Sequence, residues 1–377
     1  MLLLVTIIFI LIIIELLMSL IIFPLKFGKN YYSLTIFYAV YKFHLKIGYV
    51  LKNKLLYANP TSPPDNAPRK VNFVDVCTNN SGFITKIKSE DFSKFKKLIF
   101  CIGGSTTAGF ESHHNKTFPF LLDNLIRPFG YRCINAGVGG YRSIHELLLL
   151  KHRIMKHNPY AIILLSGFND FESYAYRVSE PFNPFKHYSS DDLPKSYFEK
   201  IAVCSSLFYI MKKKIINFYK IKSELVTTNK KFIENAEDAI LNKNEWLDEW
   251  IANVTNIFKL CQTNGIKVYL IGHVHPMYSN ATPEAKEYAD KDLDMNGQFD
   301  VFVKFHKILR EESIKLCLKN KVTFLDIATD FEKLNSEFSG SNYYKNRFSW
   351  FVDRTHLTER GNEFIANFIN NKIKKTL

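Results

Sequence analysis

Cysteine is scarce in this chain: six in 377 residues, too few for a disulfide scaffold. Acidic residues are also in deficit, with 36 Asp+Glu against 50 Lys+Arg, a net charge of +14 and a pI near 9.3. That deficit favours contact with anionic surfaces such as phospholipid headgroups, nucleic acid or acidic polymers, without choosing among them. No internal repeat is present, so the chain is not an array of small units. What is present is 47% apolar and 23% charged residues, which excludes a disordered or collagen-like chain. The length suits one large domain or two ordinary ones, with a sizeable core.

Leu2 to Phe23 is apolar except for Thr6, Glu15 and Ser19. As a helix it would span about 33 Å, enough for a hydrocarbon core of roughly 30 Å. Pro24 ends it, and Lys26, Lys29, Tyr31 and Tyr32 follow as interface residues. No basic residue precedes it and no small-residue cleavage site follows, so a retained single-pass anchor over 1–24 is expected rather than a cleaved signal. Glu15 costs a few kcal/mol, which the many Leu and Ile residues offset. The lysines after the helix place the rest of the chain in the cytoplasm by the positive-inside rule. The sequons at Asn79, Asn115, Asn253 and Asn280 do not locate it, because a chain rich in Asn, Ser and Thr has such a number by chance.

Residues 25–94 read as a juxtamembrane segment and linker. Aromatics and lysines mix over 30–70, as in an amphipathic helix on a membrane or a packed juxtamembrane helix. Pro60, Pro63, Pro64 and Pro68 mark a linker. From residue 95 to 377 the pattern becomes regular. Apolar runs at 97–102, 131–135, 161–166, 266–272 and 322–327 predict five buried strands. Apolar residues spaced by three and four predict helices over 117–126, 143–156, 245–263, 301–320 and 358–374. Strand and helix in alternation imply an α/β fold, a parallel sheet covered on both faces, with ligands beyond the carboxyl ends of the strands. Residues 171–243, rich in Tyr, Phe and Lys, interrupt the alternation and read as an insertion between the third and fourth strands.

Four blocks on this scaffold could carry chemistry. Gly103-Gly104-Ser105-Thr106-Thr107 follows the first strand, where glycines allow a sharp turn and Ser105 opens a helix. No lysine is present for a phosphate-binding loop, and Thr107 stands where a nucleophile elbow needs glycine. Gly137 to Gly140 follow the second strand, and Gly167 and Asn169 follow the third. A glycine N–H and an asparagine amide are neutral donors for a developing negative charge, although either block alone could be a turn. Asp353 and His356 are three residues apart before the last helix, so the carboxylate can orient the imidazole; helix capping by Asp353 is the plainer alternative.

Taken together and in this order, the four blocks resemble the SGNH (also called GDSL) hydrolase superfamily over roughly residues 95–377. The resemblance implies a flavodoxin-like three-layer α/β/α fold with a five-stranded parallel sheet. It also implies Ser105 as nucleophile, His356 as base and Asp353 as its orienter, with the Ser105 N–H, the Gly140 N–H and the Asn169 side chain as oxyanion hole. Gly104 stands where the family often has Asp, a change outside the triad that bears on subgroup and substrate. Residues 78–83 resemble a stretch in membrane-anchored bacterial members that work outside the cytoplasmic membrane on polysaccharide acyl groups. This opposes the positive-inside argument and suggests an extracytoplasmic domain, so the side of the membrane stays open.

The expected function is therefore a membrane-anchored serine esterase that removes a small acyl group, such as O-acetyl, from a carbohydrate. The alternatives are a lipid esterase or lysophospholipase, an acyltransferase using the same triad, and a silent binding module. No cofactor, metal or nucleic-acid partner is expected. His273 and His275 lack companions at ligand spacing, and His275 is expected to line the cleft. His113 and His114 are expected on the surface. Cys101 and Cys133 fall in buried strands as small hydrophobes, with no reason to pair.

Overall fold

The computed structural model describes Thr6, Ile13 and residues 41–44, 46–51, 53, 56–59, 74–95, 97–109, 111–176, 236–238, 240, 245–293, 295 and 297–374. Apart from Thr6 and Ile13, the apolar segment 2–23 lies outside the described residues, as do the prolines of the linker and most of the insertion. Among the described residues no helix is long and apolar enough to cross a membrane.

A five-stranded parallel sheet carries the fold. Its strands are β1 (Lys97–Gly103), β2 (Tyr131–Asn135), β3 (Ala161–Leu165), β4 (Lys267–Ile271) and β5 (Thr323–Leu325). They lie in the order β2-β1-β3-β4-β5. Ile99 faces Cys133 on one side and Ala161 on the other. Every residue of β3, and all of β1 after Lys97, is buried, as a sheet covered on both faces requires. The chain leaves β1 toward one edge and returns to β3 on the other side, which makes a switch point at the carboxyl ends of β1 and β3.

The longer helices follow from apolar stripes of period 3.6. In chain order the helices are α1 (Ser105–Ala108), α2 (Phe118–Ile126), α3 (Ser143–Leu149), α4 (Phe168–Tyr176), α5 (Glu245–Thr263), α6 (Pro283–Asp292), α7 (Phe299–Asn320), α8 (Ile327–Asn335), α9 (Gly340–Phe348) and α10 (Glu359–Ile373). α2 packs on α10, and both α3 and α7 pack on α5.

Several sequence expectations are corrected. The helix expected over 143–156 is regular only to Leu149. It then widens to a π turn over Leu150–Ile154, which keeps Leu150, Arg153 and Ile154 buried, and closes with a 3₁₀ turn. Ile327, expected in the last strand, begins α8 instead. The Asp326 carboxylate before it is held by Arg310 Nε at 2.9 Å and by Thr329 Oγ1 at 2.9 Å, which pins the helix start there. Residues 171–176, expected to open the insertion, belong to α4. Phe171 is fully buried, with its ring stacked on Phe305 at 4.3 Å.

The segment ahead of β1 also differs. Instead of a helix over 30–70, strands Tyr41–His44 and Gly48–Leu51 pair with each other, and Leu56–Asn59 pairs with Val74–Cys77. Tyr, Phe and Val in these stretches favour strand, and Gly48 weakens a helix. Residues 78–95 pack on the sheet domain rather than linking to it. Asn79 Oδ1 accepts from the N–H groups of Ser81 and Phe83, turning the chain so that Ile84 N–H reaches the Asn135 carbonyl at 2.9 Å. Phe83 and Phe92 are buried against Phe100. The Arg153 guanidinium donates to the Ser81 carbonyl and secures this turn.

Candidate active site

Ser105 is the first residue of α1, immediately after the β1 turn. Its Oγ lies 2.7 Å from His356 Nε2. The opposite nitrogen of that ring, Nδ1, lies 2.6 Å from Asp353 Oδ2. The other carboxylate oxygen, Oδ1, accepts from the backbone N–H groups of Thr355 and His356, each at 2.8 Å. A carboxylate at position 353 thus folds its own loop, and the same act places it against the imidazole three residues on. Val352 N–H donates to the His356 carbonyl at 2.8 Å and closes the loop before α10.

The electrostatics follow from these neighbours. Burial opposes ionisation of Asp353, but His356 and the two backbone donors outweigh it and hold its pKa well below the usual carboxylate range. Burial alone would lower the His356 pKa. Asp353, then Glu111 and Glu172, more than offset that and raise it to about 10. An ionised Asp353 keeps a proton on Nδ1, so a neutral His356 offers the Nε2 lone pair to the Ser105 hydroxyl.

Asn169 sits in the first turn of α4, and its side-chain N–H donates to the Tyr141 carbonyl at 2.8 Å. An amide nitrogen carries two hydrogens, so this bond leaves the second for an incoming oxygen. A Cβ at Gly104 would stand 2.5 Å from this same Asn169 Nδ2. A side chain at position 104 would therefore require the Asn169 amide to shift. Gly140 lies at φ +73° in the turn after β2, a left-handed conformation suited to glycine, and directly precedes Tyr141. Ser105, His356 and Asp353 are joined in one hydrogen-bonded line. Asn169 and Tyr141 line a cavity of about 20 Å³ together with Ser105, which brings the Gly140 turn to the same place.

A larger cavity of about 120 Å³ opens beside the serine, lined by Ser105, Phe168, Asn169, Glu172, Asp353, Arg354, Thr355 and His356. Arg354 and Glu172 form an ion pair at 2.5 Å across its wall, tying the His356 loop to α4. Sequence reasoning missed this pair, although Glu172 lies one helical turn beyond Asn169, on the same face. It also missed Glu111, whose Oε1 lies 3.7 Å from His356 Nε2. Burial raises the Glu111 pKa, and His356 opposes that rise. No sequence signal marks Glu111, which lies in the loop between α1 and α2.

The histidines after β4 are placed differently from expectation. His273, not His275, lines the small cavity with Ser105, and its Nε2 lies 3.0 Å from the Ser166 carbonyl. His275 stacks on His306 at 3.9 Å, away from the cleft. Burial pushes His273 down to about 4 and holds His275 and His306 well below the usual range, so all three are neutral near pH 7. His113 and His114 are half-buried rather than on the surface. Among the described residues no group of three His, Cys, Asp or Glu side chains is placed to hold a metal ion. Cys101 and Cys133 are buried and free, as expected, with their thiols 3.4 Å apart across β1 and β2.

No curated protein matches the chain. It is similar to the solved structure of the acetyl xylan esterase AlAXEase, at 17% identity and a TM-score of 0.41, over 73% of this chain and 99% of that one. A GDSL-like lipase from Bacteroides thetaiotaomicron is similar at 15% identity and a TM-score of 0.39, over 75% of this chain and 91% of that one. Axe2, an acetylxylan esterase from Geobacillus stearothermophilus, is similar at 12% identity and a TM-score of 0.40, over 74% of this chain and 94% of that one. The GDSL-like lipase/acylhydrolase family model matches residues 99–369. That span runs from β1 into α10 and takes in all four blocks, so the chain belongs to the GDSL-like lipase/acylhydrolase family and is an ester-hydrolysing enzyme.

Proposed function

We propose that this enzyme removes a small acyl group, with O-acetyl as the leading case, from a carbohydrate ester through an acyl-enzyme on Ser105. The hydrogen-bonded line from Asp353 through His356 to Ser105 carries this reading. Ser105 Oγ attacks the acyl carbonyl while His356 Nε2 takes its proton, and Asp353 stabilises the imidazolium. The Ser105 N–H, the Gly140 N–H and the Asn169 amide receive the oxyanion. His356 then protonates the departing sugar oxygen, and water repeats the sequence to release the acid.

The size and lining of the cleft support a small acyl group and a hydroxyl-rich partner. The larger cavity, about 120 Å³, is well below the roughly 300 Å³ at which pockets for drug-sized ligands begin. Its wall combines the polar side chains of Asn169, Glu172, Arg354 and Thr355 with the ring of Phe168. A panel of neutral esters, from acetyl to long-chain, tests this on the full-length protein. The rate should fall steeply beyond about four carbons, as a small acyl site requires. Equal or greater activity on long-chain or phospholipid esters would replace the proposal with a lipid esterase.

The apolar segment 2–23 supports placement of the enzyme at a membrane. Alkaline carbonate should leave the full chain in the membrane fraction and only detergent should extract it. Release by carbonate would remove the anchor from the proposal.

A further inference from the structure

The His356 imidazole meets carboxylates on two sides. Asp353 Oδ2 lies 2.6 Å from Nδ1, and Glu111 Oε1 lies 3.7 Å from Nε2, the nitrogen that faces Ser105 Oγ at 2.7 Å. The Glu111 side chain is only 16% exposed, so salt and water screen it weakly. A Ser-His-Asp constellation needs its carboxylate on the Nδ1 side. A second carboxylate beside Nε2 changes the energy of each step in which that nitrogen gains or loses a proton.

We propose that Glu111 is a positioning residue for the reacting nitrogen of His356, holding the imidazolium between two carboxylates. The inference deepens the esterase reading above and rests on it for its kinetic consequence. A negative charge beside Nε2 favours imidazolium over neutral imidazole. In the free enzyme His356 must be neutral to accept the Ser105 proton, so Glu111 moves the acid limb of kcat/KM to higher pH. Once attack begins, the same charge stabilises the imidazolium being formed, so Glu111 raises kcat on the alkaline plateau. Three elements present charge to this ring. Asp353 comes from its own loop and serves Nδ1, Glu172 comes from α4 and is paired with Arg354, and Glu111 comes from the α1–α2 loop and faces Nε2. The titration seen belongs to this group as a whole.

The test uses the full-length protein and two variants, the isosteric Glu111→Gln and the shorter Glu111→Asp. The His356 imidazole is titrated by NMR, and kcat/KM on p-nitrophenyl acetate is followed against pH. In E111Q both the NMR midpoint and the acid limb should fall together by about one pH unit. On the alkaline plateau kcat should fall with KM unchanged. E111D, which keeps the charge but draws it back, should shift the same way by less, and it carries the test if E111Q does not fold. An unchanged midpoint in E111Q, or in E111D where that is the folded variant, overturns the inference. The NMR midpoint needs no turnover. A shifted midpoint with Ser105 unreactive toward a fluorophosphonate therefore supports the role of Glu111 and overturns the esterase reading alone.

Discussion

Ser105→Ala should abolish labelling by a fluorophosphonate probe and lower kcat by about 10⁶-fold, the loss expected when the nucleophile of a Ser-His-Asp unit is removed. What remains should be the rate an oxyanion hole and substrate binding supply without a nucleophile, about 10³- to 10⁴-fold over water. The Ser105 hydroxyl bonds to His356 Nε2, so its loss leaves the His356–Asp353 bond and the loop intact. Thermal unfolding of the variant should match wild type, which separates loss of chemistry from loss of fold. Activity and labelling at wild-type levels in S105A would place the nucleophile elsewhere.

The second large effect is expected at Asp353. Asp353→Asn keeps a side-chain oxygen for the N–H groups of Thr355 and His356, so the loop keeps its turn. It puts a neutral amide opposite Nδ1, where the carboxylate now stands at 2.6 Å. An amide N–H facing Nδ1 moves the ring proton to Nε2, the wrong tautomer to accept from Ser105, and costs about 10⁴-fold in kcat. Asp353 is also the strongest of the groups that raise the His356 pKa. Its neutralisation removes charge stabilisation of the imidazolium, so the acid limb of the residual activity should lie at lower pH than in wild type. A 10⁴-fold loss with the limb unmoved would indicate that D353N acts by disturbing the loop, and a loss below tenfold would remove Asp353 from the mechanism.

The two expectations differ in what they demand of the chain. Asp353 and His356 lie three residues apart, and a short turn closed by two backbone bonds brings them together. Ser105 and His356 are separated by 251 positions, and only the whole sheet can join them. The parallel order β2-β1-β3 contributes the Ser105 side by gathering the ends of three strands at one switch point. The Gly103–Thr107 block leaves β1, the Gly137–Gly140 block leaves β2 and Asn169 follows β3, so strand pairing gathers three distant blocks, and the packing of α10 on α2 brings the Asp353–His356 loop to them.

Much of this was legible because it is periodic or local. Buried strands of a doubly covered sheet are continuous apolar runs, and Tyr131–Asn135 and Glu245–Thr263 fall where the pattern puts them. The helices α6 and α9 were not legible, being polar; the stretch Gly340–Phe348 has only Phe348 as a fully buried apolar residue. Helix was the wrong reading for 41–51 because alternating aromatic and basic residues fit either period over so few positions.

By itself, then, the sequence determined the α/β class, the positions of the five parallel strands, the blocks that border the cleft and the local Asp353–His356 turn. These depend on contacts within a strand, a helical turn or a tight loop. The tertiary structure alone decided that Glu111 faces His356 Nε2, that His273 rather than His275 reaches the cleft, that the Asn169 amide lies against Gly104, and that residues 78–95 cover β1 and β2. Each of these is a meeting of side chains from different elements. Its distance is set by how the elements stack, and no spacing along the chain encodes that.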